Sequence, residues 1–317
     1  MPKPRILVAE SDRFSARAAA ILRDIGELRM ADLDRANLVQ SAAWANVLWV
    51  RLRNRIDAEI MAAAPDLRVI VSATTGLNHI DLAEAERRRI RVLSLRGEAD
   101  FLKEVRATAE HTIGLMLALL RHLPGACSHV LEGGWNRDRF WGGELNEKTA
   151  GVIGYGRLGR IVARYLQAFG ARVLAADPAV PAHEIEPGVV LSPLVDLLRE
   201  ADLVTLHVNL NGKTRGFFGR DQFAAMKRGA WFINTARGEL VDDAALLDAL
   251  SAGRLRGAAV DVLGDERSDG MGHHRLVAYA RERDNLIITP HIGGCTVESV
   301  EKTELFLAEK LRGLSLN

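Results

Sequence analysis

Gly154, Gly156 and Gly159 set the pattern G-x-G-x-x-G within the run Gly-Val-Ile-Gly-Tyr-Gly-Arg-Leu-Gly that starts at Gly151. In a chain with 28 glycines the spacing alone decides little, and its flanks give it weight. Gly151, Val152 and Ile153 form a short apolar run of the kind a buried parallel strand needs. Beyond the glycines, Leu158, Ile161, Val162, Tyr165 and Leu166 recur at helical spacing. A second apolar run from Arg172 to Ala176 ends in Asp177, about 20 residues past the turn. Strand, glycine turn, helix, strand and carboxylate together predict a dinucleotide-binding unit.

Each piece has a physical task. Gly154 permits a tight turn, Gly156 lets backbone approach a pyrophosphate, and Gly159 lets helix and strand pack closely. Tyr155, Arg157 and Leu158 fill the turn and open the helix, whose N-terminal N–H groups favour phosphate. Asp177 can accept hydrogen bonds from both ribose hydroxyls and would repel a 2′-phosphate, so NAD is expected rather than NADP. The same turn without a ligand occurs in other doubly wound folds.

The rest of the chain alternates in the same way. Apolar runs at Ile6–Ala9, Val47–Val50, Val69–Ser72 and Val92–Leu93 read as strands, with helices over Phe14–Ile25, Ala58–Ala64 and Leu82–Arg89. A long apolar helix is expected over His111–His122. Further strands follow at Val173–Ala176, Leu203–His207, Trp231–Asn234, Ala258–Asp261 and Leu286–Thr289. Helices are expected over Leu194–Glu200, Arg220–Met226, Asp242–Ser251 and Val297–Leu311. The most loop-like stretch is Ser268–His274. Strands alternating with helices imply parallel sheets covered on both faces. At 317 residues two cores are expected rather than one. The expected fold class is α/β with two doubly wound parallel-sheet domains: a Rossmann domain over 105–290, and a flavodoxin-like domain made of 1–104 completed by 291–317.

Charge and composition narrow the partners. With 42 basic and 41 acidic residues, no basic footprint for nucleic acid or a membrane surface stands out. The longest apolar run, Leu115–Leu120, is far shorter than the ~20 residues a membrane span needs. Two distant cysteines, Cys127 and Cys295, make no disulfide framework. With no signal-like N-terminus, they point to a reducing cytoplasm. No metal site is expected, His273 and His274 lacking further ligands.

Candidate chemistry gathers where strands end, which is where open α/β sheets place ligands. The cofactor is expected to meet His207, Asn209, Thr235, Ala236, Asp261 and Gly294 there. Arg237 offers a planar fork for a carboxylate. His291 is a side-chain type suited to proton transfer near neutral pH, and Glu266 can orient an imidazole and favour its charged form. Each taken singly could be an ordinary surface or core residue. On consecutive strand ends beside a dinucleotide turn, they form a constellation.

Over nearly its whole length the chain resembles the NAD-dependent D-isomer-specific 2-hydroxyacid dehydrogenases. The resemblance is carried by Gly151–Gly159, Asn234–Leu240, Pro290–Gly294, Ala109–Thr112 and the loop Ala73–Asp81. It implies a catalytic arginine in the Thr-Ala-Arg-Gly segment, Arg237. It also implies a glutamate after the Asp261-Val262 pair, Glu266, and an acid/base histidine after a proline, His291. Substrate contacts are expected at Thr75, Gly76 and Leu77. Arg51 resembles the strand-end arginine of phosphoglycerate dehydrogenases and is expected to read a substrate phosphate. The implied activity is hydride transfer between NAD(H) and a 2-hydroxy/2-keto acid pair, 3-phosphoglycerate-like, without the regulatory domain of longer relatives. Corepressors on the same fold keep the same residues, which leaves a dinucleotide-sensing binding protein as the alternative. A homodimer is expected, with Thr112–Leu120 and Trp135–Trp141 as its face. The sequence departs from the family in the stretch His207-Val208-Asn209-Leu210-Asn211, where Pro and Thr are common, and at Cys295, read as a small buried residue in place of Ala.

Overall fold

The computed structural model describes residues 3–264, 266 and 271–314. It divides into two compact units, Met1–Val105 with Cys295–Asn317, and Arg106–Gly294. His291 and the turn after it therefore fall in the second unit, whereas the expected boundary lay after residue 290. Of the loop-like stretch 268–274, residues 268–270 lie outside the described residues, and Met271–His273 form one 3-10 turn.

The first unit is built on five parallel strands: β1 (Arg5–Val8), β2 (Glu27–Met30), β3 (Val47–Val50), β4 (Val69–Ser72) and β5 (Arg91–Ser94). Their spatial order, β2-β1-β3-β4-β5, is the flavodoxin-like one. Neighbouring strand residues point to opposite faces, and the apolar runs divide accordingly. Leu7, Leu48, Val50 and Ile70 join Leu38, Ile60 and Met61 on one face. Ile6, Val8, Trp49 and Val71 join Ala18, Leu22, Leu307 and Leu311 on the other. The last two come from the final helix, Val297–Arg312. Helix starts are marked chemically. The side chains of Ser15, Asp34, Asp57, Asp81 and Thr296 each accept a backbone N–H three residues on.

Seven parallel strands form the second unit: β6 (Thr149–Ile153), β7 (Arg172–Ala176), β8 (Val189–Leu191), β9 (Leu203–Leu206), β10 (Ala230–Asn234), β11 (Leu255–Val260) and β12 (Leu286–Ile288). Their order is β12-β11-β10-β9-β6-β7-β8, so the strand direction of travel reverses at β6/β9. One face is covered by Ala107–Leu120 and Arg157–Ala168, through Met116, Leu119, Ile161, Val162 and Leu166. The other rests on Leu197, Leu246, Leu250 and the rings of Phe218, Phe223 and Phe232. Asp242 caps the helix Asp243–Ser251, and Gly253, at φ +63°, follows its end.

Several features were not anticipated from the sequence. Strand β2 alternates exposed and half-buried residues, because an edge strand with one open side needs no apolar run. The helix Leu123–Leu131 buries no side chain. Cys295, read as buried, is exposed, standing between the Gly293-Gly294 turn and the helix cap Thr296. Among the described residues no single helix is long and apolar enough to cross a membrane, and the apolar helix Ala107–Leu120 covers the sheet instead.

Phe232 sits on β10 with its ring 4.9 Å from that of Phe218 and 5.2 Å from that of Phe223. Phe232→Ala should lower the unfolding free energy by about 3–5 kcal/mol in urea denaturation followed by circular dichroism. A loss below about 1 kcal/mol would contradict this packing.

Candidate active site

The fingerprint turn joins β6 to the helix Arg157–Ala168. Gly154 has φ +89°, and a Cβ there would stand 2.7 Å from the His207 carbonyl carbon. A Cβ at Gly159 would stand 2.1 Å from the Gly154 carbonyl oxygen. Both positions therefore exclude any side chain. Gly156 caps the helix and faces open space, which leaves the helix N-terminus accessible to an anion. Arg157 and Leu158 are half-buried at the start of that helix.

Asp177 follows β7 and lies against the turn. Its carboxylate accepts the Tyr155 N–H at 2.9 Å and the Ala179 N–H at 2.9 Å. The Tyr155 side chain is buried: its hydroxyl bonds Glu186, and Arg160 covers its ring at 4.8 Å while donating to Glu186 at 2.9 Å. Burial pushes the Tyr155 hydroxyl pKa well above its usual value. The ring therefore supports the turn from beneath, a role that the glycine spacing does not reveal.

At the end of β9, His207 places Nε2 3.1 Å from Thr205 Oγ1, and its buried Nδ1 has no partner among the described residues. That orphaned nitrogen beside the glycine turn fits a ligand bound there. Asn209 is exposed, and its carbonyl accepts the Thr214 hydroxyl. After β10, the buried Asn234 side chain builds the next turn. Its Oδ1 accepts the Ala236 N–H at 3.0 Å, and its Nδ2 donates to the Arg237 carbonyl at 2.9 Å. Thr235 directs its hydroxyl to Thr112 Oγ1 at 2.8 Å.

Arg237 is half-buried, with Nη1 donating to the Ala236 carbonyl at 2.6 Å. Burial draws its pKa down, opposed by the charges of Glu266 and Glu239. Glu266 accepts the Leu263 N–H on Oε1 at 2.9 Å and meets His291 Nδ1 with Oε2 at 2.5 Å. The structure thus brings Arg237, Glu266 and His291 together at adjacent strand ends.

His291 has φ +54°, a left-handed backbone that non-glycine residues rarely adopt. What holds it there is Asp261. The Asp261 carbonyl accepts the His291 N–H at 2.8 Å. Its carboxylate accepts the Ile292 N–H at 2.9 Å, the Gly293 N–H at 2.8 Å and the Thr289 hydroxyl at 2.6 Å. His111 Nε2 completes the set at 3.1 Å, and a carboxylate only accepts, so that nitrogen carries a proton. Burial pushes the Asp261 carboxyl up, but these donors outweigh it and hold it below the usual carboxylate range. Gly294, the last residue of the unit, is exposed. His111 and Asn234 lie inside segments that carry the resemblance, but nothing in the sequence gives them these bonding roles, and Thr289 carries no motif at all. His274, proposed for no site, accepts the Leu276 N–H on Nδ1 and donates from Nε2 to the Asp243 carboxylate at 3.2 Å.

In the first unit, the loop after β4 is held by a chain of polar groups. Thr74 Oγ1 donates to the Gly76 carbonyl at 2.8 Å, so Ser72 donates to Thr74 and His79 Nε2 donates to Ser72, each at 3.0 Å. Leu77 anchors the loop in the core. The Thr75, Gly76 and Leu77 N–H groups make no hydrogen bond among the described residues. Arg51, expected to face a phosphate, has its guanidinium on Glu304 and on the Asp12 carbonyl.

Burial lowers the His207 pKa from 6.5 to about 3. The neutral ring therefore contributes stability that is complete above pH 6.5 and falls by ~1.4 kcal/mol per unit as the pH drops toward the folded pKa. Urea denaturation between pH 6.5 and about 4.5 should show this slope, reduced in His207→Gln. An equal slope in both proteins would count against a buried neutral ring.

Comparisons place this geometry. Residues 113–293 match the model of the D-isomer specific 2-hydroxyacid dehydrogenase NAD binding domain. The chain is 35% identical over 314 residues to D-3-phosphoglycerate dehydrogenase of Mycobacterium tuberculosis, covering 98% of this chain and 57% of that protein. It thus spans little more than half the length of the first relatives it matches. It is 34% identical to hydroxypyruvate reductase of Thermotoga maritima, over 97% of both chains. D-lactate dehydrogenase from Aquifex aeolicus, solved with NAD and lactic acid, superposes with a TM-score of 0.83 at 29% identity, over 97% of this chain and 94% of that one. The open helix N-terminus, the aspartate after β7 and the family match agree, and the chain belongs to the D-isomer specific 2-hydroxyacid dehydrogenases, with an NAD-binding domain in its second unit.

Proposed function

We propose that this protein interconverts D-2-hydroxy acids and 2-keto acids with NAD(H). The observation that carries the reading is the His291–Glu266 pair, 2.5 Å from nitrogen to oxygen, beside Arg237 on the sheet edge that holds the glycine turn. Gly154–Gly159 and Asp177 would hold the pyrophosphate and ribose, and Asp177 would disfavour a 2′-phosphate. The bound cofactor supplies the hydride. Arg237 grips the carboxylate and polarises the keto oxygen. His291, with Nδ1 committed to Glu266, carries on Nε2 the proton that reaches the forming alkoxide, and takes it back in the other direction. Asp261 is a positioning residue for that imidazole. In the first unit, Thr75, Gly76 and Leu77 are assigned to substrate contact through their backbone N–H groups.

NADH oxidation with glyoxylate, pyruvate, hydroxypyruvate and phosphohydroxypyruvate tests this reading, with NADPH alongside. Turnover of at least one acid, faster with NADH, is expected. His291→Ala should lower kcat by roughly 10²–10⁴-fold while NADH affinity stays near that of the wild type. A collapse of NADH affinity in the variant would overturn the assignment. Tight NADH binding with no turnover would favour a dinucleotide-sensing binding protein.

We further propose a cytoplasmic homodimer. In the second unit Leu131 is 89%, Trp135 90% and Trp141 77% exposed, an apolar surface suited to a second copy. Helix Thr112–Leu120, expected on that face, instead packs into the core. Sedimentation at low micromolar concentration should give twice the mass of one chain, and a single-chain species would sink the dimer.

A further inference from the structure

The first unit buries a carboxylate that the proposed reaction does not use. Glu304, in the helix Val297–Arg312, is 0% exposed. Its Oε2 accepts the Ser15 N–H at 2.7 Å, and its Oε1 accepts Arg51 Nε at 3.2 Å and Nη2 at 2.6 Å. Arg51 Nη1 donates to the Asp12 carbonyl at 2.8 Å. Burial pushes the Glu304 carboxyl up, against the Ser15 N–H and the guanidinium. The Arg51 side chain keeps 27% of its surface, yet its charge is matched one to one by a carboxylate that pairs with no other cation among the described residues.

The location gives the pair its meaning. Arg51 follows β3, and the Thr75–Leu77 loop follows β4, its neighbour in the sheet, so both lie on one sheet edge. A substrate with its carboxylate on that loop and a phosphate at its far end would bring a second anion to this edge. Arg53 is likewise engaged, donating to Asp32 at 3.2 Å. From Ser72 to His79 the β4 loop contains no lysine or arginine. To engage a phosphate fully, Arg51 would have to leave Glu304, and a buried carboxylate stripped of its cation is strongly unfavourable.

We propose that Glu304 is a specificity-determining residue, which neutralises Arg51 so that the protein takes 2-keto acids with a small uncharged C3 group and rejects phosphorylated ones. The inference rests on the dehydrogenase reading above. It uses an unfavourable element against the wrong substrate rather than an added contact to the right one.

The test compares hydroxypyruvate with phosphohydroxypyruvate in the wild type, Glu304→Gln and the double variant Glu304→Gln/Arg51→Met. The wild type should prefer hydroxypyruvate in kcat/KM by about 10²-fold. Glu304→Gln, which keeps an acceptor for Ser15 but loses the charge, should move the ratio toward the phosphorylated acid by roughly tenfold or more. Adding Arg51→Met should abolish that gain. A wild type that prefers phosphohydroxypyruvate overturns the inference, and so does an unmoved ratio in a folded Glu304→Gln. If Glu304→Gln does not fold, Arg51→Met alone is read. Equal losses on both acids support the inference, and a loss confined to the phosphorylated acid overturns it. Calorimetry with glycerate and 3-phosphoglycerate in the presence of NAD reads the same preference without turnover. Tighter 3-phosphoglycerate binding overturns the inference alone. Glycerate binding with no turnover of any acid overturns the dehydrogenase reading and supports the preference. Binding of neither acid overturns both.

Discussion

One buried carboxylate holds the candidate catalytic geometry in place. Asp261 follows β11 directly and receives four donors on its side chain, two of them the backbone N–H groups directly after His291. An aspartate alone in such a place would be unfavourable to bury, and the donors reverse that balance. In return the chain turns left-handed at His291 and stays there. The imidazole is thereby presented to Glu266 by backbone geometry rather than by side-chain packing, and the strain at its φ is sustained by bonds to neighbours.

The parallel architecture explains why such residues collect. Strand interiors are apolar on both faces because helices cover both, which leaves polar groups to the ends. At one end of β6, β7, β9, β10 and β11 these groups form successive turns built by Gly154, Asp177, His207, Asn234 and Asp261. Asn234 and Asp261 do related work in adjacent turns, each capturing backbone N–H groups downstream of its strand. The sheet is a scaffold on which each of these strand ends places one turn-building residue.

Much of this was legible in the sequence, and the limits have physical causes. Apolar runs located ten of the strands, because buried parallel strands cannot alternate with polar residues. Strand β2 escaped because Glu27 and Arg29 interrupt its apolar residues, and β8, although it reads Val-Val-Leu, was not expected. Arg237, Glu266 and His291 were visible as strand-end residues of suitable chemistry, and the structure brings them together. Their supports were not visible. His111 and Thr289 reach Asp261 from far along the chain, and no spacing encodes such a contact. Arg51 was visible as a strand-end cation, whereas its partner Glu304 lies 253 residues away in a helix whose pattern reads as ordinary amphipathic surface.

The first unit is closed by a helix from the opposite end of the chain. Leu307, Ala308 and Leu311 complete a cluster of buried apolar residues whose other members lie between Ile6 and Leu102. The second unit is continuous from Arg106 to Gly294. On a ribosome, therefore, the order of synthesis and the order of completion differ. The sheet made first waits with one face only partly covered while the later unit acquires every residue of its own core, and the earliest strands reach their final burial last.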